Sequence, residues 1–230
     1  EDCAAHYGFT RAQQDAFASA SVQRAQRAIQ DGSFAAEIAP VTLQERSGAR
    51  VVSVDEGPGR IKLDKIPTLK PAFKKDGTVT AASSSSINDG AAALLLMRAS
   101  TAQRLGCTPL VRVVAHATHA QAPQWFSTAP VGASQKLLAK AGWSAEQVDL
   151  WEINEAFAVV PMALMHELKL PHDKVNVNGG ACALGHPIGA SGARILVTLI
   201  YAMRARAARR GVATLCIGGG EATAMALELL

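Results

Sequence analysis

Residues 212–229, VATLCIGGGEATAMALEL, contain a nearly continuous apolar segment, three consecutive glycines and a second segment of alternating character. Val212–Ile217 has the composition of a buried strand, and Thr223–Leu229 alternates as a half-buried strand does. The glycines between them favour a tight turn. This stretch therefore predicts an antiparallel strand pair at the end of a mixed sheet.

The residues before this pair alternate between strand and helix patterns. Strands are expected near residues 110–117, 148–153 and 175–177, and helices near residues 132–141 and 155–168. A further helix is expected to start at Pro187, where the missing N–H of proline costs nothing. The pattern over residues 108–230 predicts a layered α/β/α fold around a mixed five-stranded sheet.

The first hundred residues are less regular. Thr10 and Gln13 have capping-box spacing at the start of a helix that is expected to end near Asp31. Residues 33–80 contain four prolines and many lysines and arginines, which indicates an irregular α+β segment with one short strand near residues 51–54. Strong helix formers from Asp89 onward predict a helix to about Leu105.

Composition excludes several classes of protein. The 230 residues are 49% apolar and 18% charged, which excludes global disorder, and no apolar run is long enough for a membrane span. The formal charge of +4 permits an anionic small-molecule partner but does not indicate nucleic acid. Four scattered cysteines favour a reducing cytoplasm over a disulfide framework. The chain begins with Glu1 and shows no signal peptide, so we expect a processed piece or one part of a longer protein.

Three short motifs at strand ends or helix starts combine residues that can do chemistry. His186, just before Pro187, is expected at a helix cap, where the positive helix end disfavours a protonated ring. Cys216 ends a strand and enters the glycine turn, whose N–H groups can stabilise an oxyanion. Asn154 can hold a water or a carbonyl through its amide.

Each of these residues also has a purely structural interpretation. His186 and Asn154 are both compatible with simple helix capping, and a buried cysteine such as Cys216 usually packs as a small hydrophobe. A dinucleotide site at the glycines of residues 179–192 is discounted, because the GxGxxG spacing and the following acidic residue are missing.

Taken together, the three motifs resemble the thiolase family. The motifs are NEAF at residues 154–157, GHPIGASG at residues 185–192 and CIGGG at residues 216–220. The resemblance extends over the whole chain and looks like the acetyl-CoA acetyltransferase branch. It implies a partial loop domain at residues 1–87, a returning segment of the N-terminal domain at residues 88–107 and the C-terminal domain at residues 108–230.

The resemblance implies a reversible Claisen condensation and thiolysis of acyl-CoA thioesters. His186 would polarise a thioester carbonyl beside a water held by Asn154, Cys216 would act as acid and base, and the N–H of Gly218 would join a second oxyanion hole. No metal or cofactor is implied, since the coenzyme A thioester is the substrate. The residues implied in binding the coenzyme are Ser85, Phe73, Phe157, Ala81 and Arg60.

The nucleophilic cysteine of the family has no counterpart in these motifs. The resemblance therefore suggests a C-terminal portion that lacks the N-terminal half, with that half supplied by the same or a separate chain. It also implies a homo-oligomer of the full enzyme, in the cytoplasm, with no nucleic-acid or membrane partner. An alternative is a non-catalytic subunit that binds coenzyme A esters or serves assembly.

Overall fold

The computed structural model describes residues 1–230 as helices around one mixed sheet, with a separate β-hairpin. In chain order the helices and strands are α1 (Asp2–Tyr7), α2 (Arg11–Gln30), β1 (Val41–Glu45), β2 (Gly48–Val52), α3 (Gly57–Arg60), α4 (Ala99–Leu105), β3 (Val111–Ala120), α5 (Ala129–Ala141), β4 (Leu150–Ile153), α6 (Val159–Leu168), α7 (Ala181–Leu184), α8 (Ser191–Arg206), β5 (Arg210–Ile217) and β6 (Glu221–Leu229). Short 3₁₀ turns occupy Leu63–Thr68, Pro123–Thr128, Ala145–Gln147 and His172–Lys174.

The main sheet has four strands in the order β3-β6-β5-β4. β5 and β6 form the antiparallel pair that the glycine turn predicts, and β4 runs parallel to β5. One apolar cluster fills the space between the sheet and helices α5 and α6, and a second lies between the sheet and α8. The layered α/β/α arrangement is therefore confirmed.

The predicted fifth strand at residues 175–177 does not form. Val175 makes a single bridge to Trp151, and Asn176 then adopts a left-handed backbone with φ of 47°. The side chain of Asn176 replaces the missing strand, because its Oδ1 accepts from the N–H of Ile153 at 2.7 Å and its Nδ2 donates to the carbonyl of Ile153 at 2.8 Å. An amide side chain can make both bonds of a strand residue, so the sheet ends at four strands.

The long helix predicted between Thr10 and Asp31 is confirmed as α2. Thr10 caps α2, and Gln13 completes the capping box that the spacing predicts. The segment after it contains the hairpin β1–β2 in place of a single strand at residues 51–54.

Two predicted helices are shorter than expected. Residues 88–98 have no regular structure, and α4 begins only at Ala99. Asn88 lies against Gly185 and Gly90 against Pro187, so contacts with the His186 loop replace the helix that the local helix formers predict. α6 starts at Val159, since Ser84 and Phe157 form a β-bridge just before it.

Candidate functional site

Asn154 and Cys216 lie at the same edge of the sheet. Asn154 follows β4 directly, and its N–H donates to the carbonyl of Thr214 on the parallel strand β5 at 3.0 Å. Cys216 is two residues further along β5, roughly 7 Å at about 3.3 Å per residue. Both side chains are buried. The parallel pairing of β4 and β5 therefore brings the first and third motifs together.

His186 reaches this edge from a different loop. It follows α7 and Gly185, whose positive φ of 81° turns the chain. The N–H of His186 donates to the carbonyl of Ser86 at 2.9 Å. Its Nε2 lies 3.4 Å from Nδ2 of Asn154, so the imidazole and the amide stand side by side.

Ser191 orients the imidazole. Its hydroxyl lies 2.5 Å from Nδ1 of His186 and 3.2 Å from the carbonyl of Pro187. That carbonyl also accepts the N–H groups of Ala190 and Ser191 at 2.7 and 2.9 Å. A hydroxyl that donates to Nδ1 would leave the proton of the neutral ring on Nε2, from which it can be donated to an oxygen that enters the site.

The expectation that His186 sits at a helix cap is wrong. Residues 187–190 form a turn, and α8 begins only at Ser191, so proline is not the first residue of the helix. Burial, followed by the positive charge of Arg194, lowers the pKa of His186 below its ordinary value. The neutral ring is therefore favoured as expected, but from a different physical cause.

A fully buried carboxylate holds the loops of Asn154 and His186 together. Oε2 of Glu155 accepts from the Ser21 hydroxyl at 2.7 Å and from the Cys182 N–H at 3.0 Å, and Oε1 accepts from Nδ2 of Asn176 at 2.8 Å. Helix α2, the Asn154 loop and α7 thus meet on one side chain. A Cβ on Gly180 would lie 2.4 Å from the carboxyl carbon, which explains the glycine at that position.

The segment at residues 84–87 forms another wall of the site. Ser85 donates its N–H and its hydroxyl to the carbonyl of Ala156, both at 3.1 Å, and Ile87 bridges to His186. The rings of Phe73 and Phe157 meet edge to face at 5.8 Å, with Phe73 exposed. Three of the predicted coenzyme-binding residues therefore lie along one path beside the Asn154 loop.

The other two predicted coenzyme-binding residues lie on the surface of the protein. Arg60 is exposed on α3, where its only ion pair is with Glu56 at 3.7 Å, and Ala81 is exposed in the loop before Ser85. The structure gives Arg60 no hydrogen bond to a residue of the site.

Cys216 differs from the other cysteines in its position. Burial raises the pKa of its thiol to about 11, so it is protonated at neutral pH. A Cβ placed on Gly218 would meet no atom within 4 Å, which leaves open space beside the turn. Cys3 and Cys182 are buried in other apolar clusters, and Cys107 is exposed after α4.

The sequence motifs did not identify several residues that build the site. These are Ser191, which orients His186, and the residues that link the loops, Glu155, Asn176 and Ser21. In the sequence, only Glu155 and Ser191 could have been linked to the site, because Glu155 follows Asn154 and Ser191 lies within the glycine motif. Ser21 and Asn176 are distant in sequence and depend on the folded contacts.

Comparisons with known proteins identify the family of the chain. Residues 107–229 match the family described as thiolase, C-terminal domain, and residues 1–100 match thiolase, N-terminal domain. The chain belongs to the thiolase family. The expectation of a C-terminal portion lacking the N-terminal half is wrong, because the N-terminal domain family matches the first hundred residues.

Individual relatives are acetyl-CoA acetyltransferases. The protein of that name from Thiocystis violacea is 51% identical over all of this chain and 59% of its own length, and the one from Escherichia coli K12 is 50% identical with the same coverage. The chain thus spans about three fifths of the length of these relatives.

Solved thiolase structures have the same fold. The crystal structure of Bacillus anthracis acetyl-CoA acetyltransferase superposes with a TM-score of 0.96 at 44% identity, over all of this chain and 58% of the other. The Acat5 thiolase from Ascaris suum, solved in complex with coenzyme A, gives 0.89 at 40% identity over all of this chain and 59% of the other. No helix here is both long and apolar enough to cross a membrane.

Proposed function

We propose that these residues supply the enolate-stabilising part of an acetyl-CoA acetyltransferase site. The observation that carries the proposal is the 3.4 Å separation of the Asn154 and His186 nitrogens, which come from different loops, at the sheet edge that also holds Cys216. Hydrogen-bond donors fixed where negative charge develops are what an enolate requires. Simple helix capping does not account for this convergence, since neither His186 nor Asn154 caps a helix.

In the condensation direction, Nε2–H of His186 polarises the carbonyl of the acetyl thioester, and Asn154 holds a water beside it. Burial keeps the Cys216 thiol protonated, and it first gives its proton to the coenzyme A thiolate that leaves when a second cysteine is acylated. The Cys216 thiolate formed in this way takes a proton from the α-carbon, and the resulting enolate attacks the acyl group on the second cysteine. The new carbon–carbon bond forms as that cysteine leaves as a thiolate. In thiolysis the steps reverse, and the protonated Cys216 returns its proton to the enolate carbon.

The acyl-carrying cysteine is proposed to lie outside these four. Cys3 and Cys182 are buried among apolar side chains, and Cys107 is exposed on a different element. The pantetheine arm of coenzyme A is proposed to run along Ser85, Phe157 and Phe73.

The test separates proton transfer from acylation in the full-length protein. Cys216→Ala is expected to slow exchange of the acetyl-CoA methyl protons with D₂O at least about 100-fold, the usual contribution of a positioned acid or base. Acylation, followed by intact mass, is expected to continue. Cys107→Ala, which removes the exposed thiol, is the control and should alter neither.

Loss of both reactions together, or of neither, would contradict the division of roles. A wild-type protein that binds coenzyme A but catalyses neither reaction would support the non-catalytic alternative.

A further inference from the structure

The proposed reaction does not use Arg194 or the three carboxyl groups associated with it. These carboxyl groups belong to Glu152, Glu37 and Asp55. Nη1 of Arg194 lies 3.2 Å from Oε1 of Glu152, which is almost completely buried. Glu37 and Asp55 lie in the segments before and after the hairpin, and the charge of Arg194 acts on the pKa of both. Nε of Arg194 and Oε2 of Glu37 are buried and have no hydrogen-bond partner.

The Arg194–Glu152 pair connects the two elements that bring the site together. Glu152 is on β4, two residues before Asn154, and alternate residues of a strand face the same side. Arg194 is on α8, three residues after Ser191, so the two side chains are neighbours on the helix. The pair therefore fixes the strand of Asn154 against the helix whose serine orients His186.

We propose that Arg194 is a positioning residue for the site, which holds β4 against α8 through Glu152 and so keeps Asn154 beside the imidazole that Ser191 orients. The proposal rests on the proposed role of His186 in polarising the thioester carbonyl. Burial lowers the pKa of His186 most, and the positive charge of Arg194 lowers it further, since a second cation near the guanidinium is repelled.

The surrounding carboxyl groups do not cancel this charge fully. Burial raises the pKa of Glu152 to about 8 and that of Glu37 to about 7, and it raises the pKa of Asp55, which also lies beside Glu56. Glu155 is a further negative group near Glu152. The raised pKa values favour protonated carboxyl groups, which offset the charge of Arg194 less than carboxylates would.

The experiment measures charge and placement separately in the full-length protein. The ring of His186 is titrated by NMR with labelled histidine, its signal being assigned from His186→Gln. In Arg194→Met the ring is expected to titrate at higher pH than in the wild type. At pH 8, kcat for acetyl transfer is expected to fall about ten- to hundred-fold with KM little changed, because a misplacement of about 1 Å can cost about 100-fold.

Two further variants make the result decisive. Arg194→Lys keeps the charge but loses the planar fork, so it should restore the His186 titration and only part of kcat. Arg204→Met removes an exposed arginine from the same helix and should change neither quantity. Melting curves check that each variant is folded.

An unchanged His186 titration in Arg194→Met, with the fold intact, overturns the electrostatic half of the proposal, and an unchanged kcat overturns the positioning half. The proposed function fails separately, if His186→Gln leaves kcat intact, and the titration shift is measurable in either case.

Discussion

Glu155 shows how one side chain can determine the geometry of a site that it does not enter. Its carboxylate accepts from Ser21, Asn176 and the Cys182 N–H, so three segments distant in sequence share a single acceptor group. A carboxylate is suited to this role because it accepts hydrogen bonds at both oxygens and donates none.

Glu155→Gln is expected to lower the free energy of unfolding by about 1–3 kcal/mol, because its NH₂ group meets donors and leaves at least one buried partner unsatisfied. Urea denaturation of the full-length protein measures this change. Glu56→Gln, at an exposed glutamate, serves as the control and should stay within about 0.5 kcal/mol of the wild type. Equal stabilities for both variants would mean that the buried contacts contribute little.

At the scale of the element, helix α2 stabilises the loop at residues 172–180, which lies beside the edge strand β4. Arg24 donates to the carbonyls of Val175 at 2.6 Å and His172 at 3.1 Å, and Arg27 donates to that of Val177 at 3.1 Å. A guanidinium group reaches several carbonyls at once because its donors lie in a fixed plane.

Arg24→Ala should therefore loosen the loop at residues 172–180 without unfolding the sheet. Hydrogen exchange followed by mass spectrometry is expected to show faster exchange of the amides of Asn176 and Gly179, while β5 and β6 keep their protection. Gln23→Ala, an exposed neighbour on the same helix, provides the comparison. Faster exchange throughout the sheet would indicate global destabilisation in place of a local effect.

The sequence predicted those elements whose signals are local. The Thr10–Gln13 box and the glycine turn at residues 218–220 act within a few residues, and both formed as expected. The strand at residues 175–177 and the helix from Asp89 failed because contacts with distant residues override local preference. The grouping of Asn154 with His186 followed from family motifs, whereas Ser21, Asn176 and Arg194 became visible only in the fold.

At the scale of the whole molecule, partly buried acidic groups between α8 and the segments around the hairpin make stability depend on pH. Burial raises the pKa of Glu37 from its ordinary value of 4.5 to about 7. Between these two values the folded protein keeps a proton that the unfolded chain has lost. The contribution of this group to stability therefore falls as pH rises through that window.

Glu37→Gln carries no titrating group at this position, so its stability relative to the wild type should improve as pH rises from 5 to 8. Urea denaturation at pH 5, 6, 7 and 8 gives the difference at each point. Asp64→Asn, at an exposed aspartate, is the matched control and should show a flat difference. A flat difference for Glu37→Gln as well would contradict the raised pKa.

The side chain of Asn176 has a consequence for how the molecule behaves among its neighbours. β4 is one of the two edge strands of the main sheet. The unpaired backbone N–H and carbonyl groups of an edge strand can form hydrogen bonds with a strand of another molecule. Asn176 occupies both polar groups of Ile153, and its left-handed backbone then turns the chain away. At Ile153 the strand is thus closed to pairing with another molecule, because both of its backbone polar groups are already bonded.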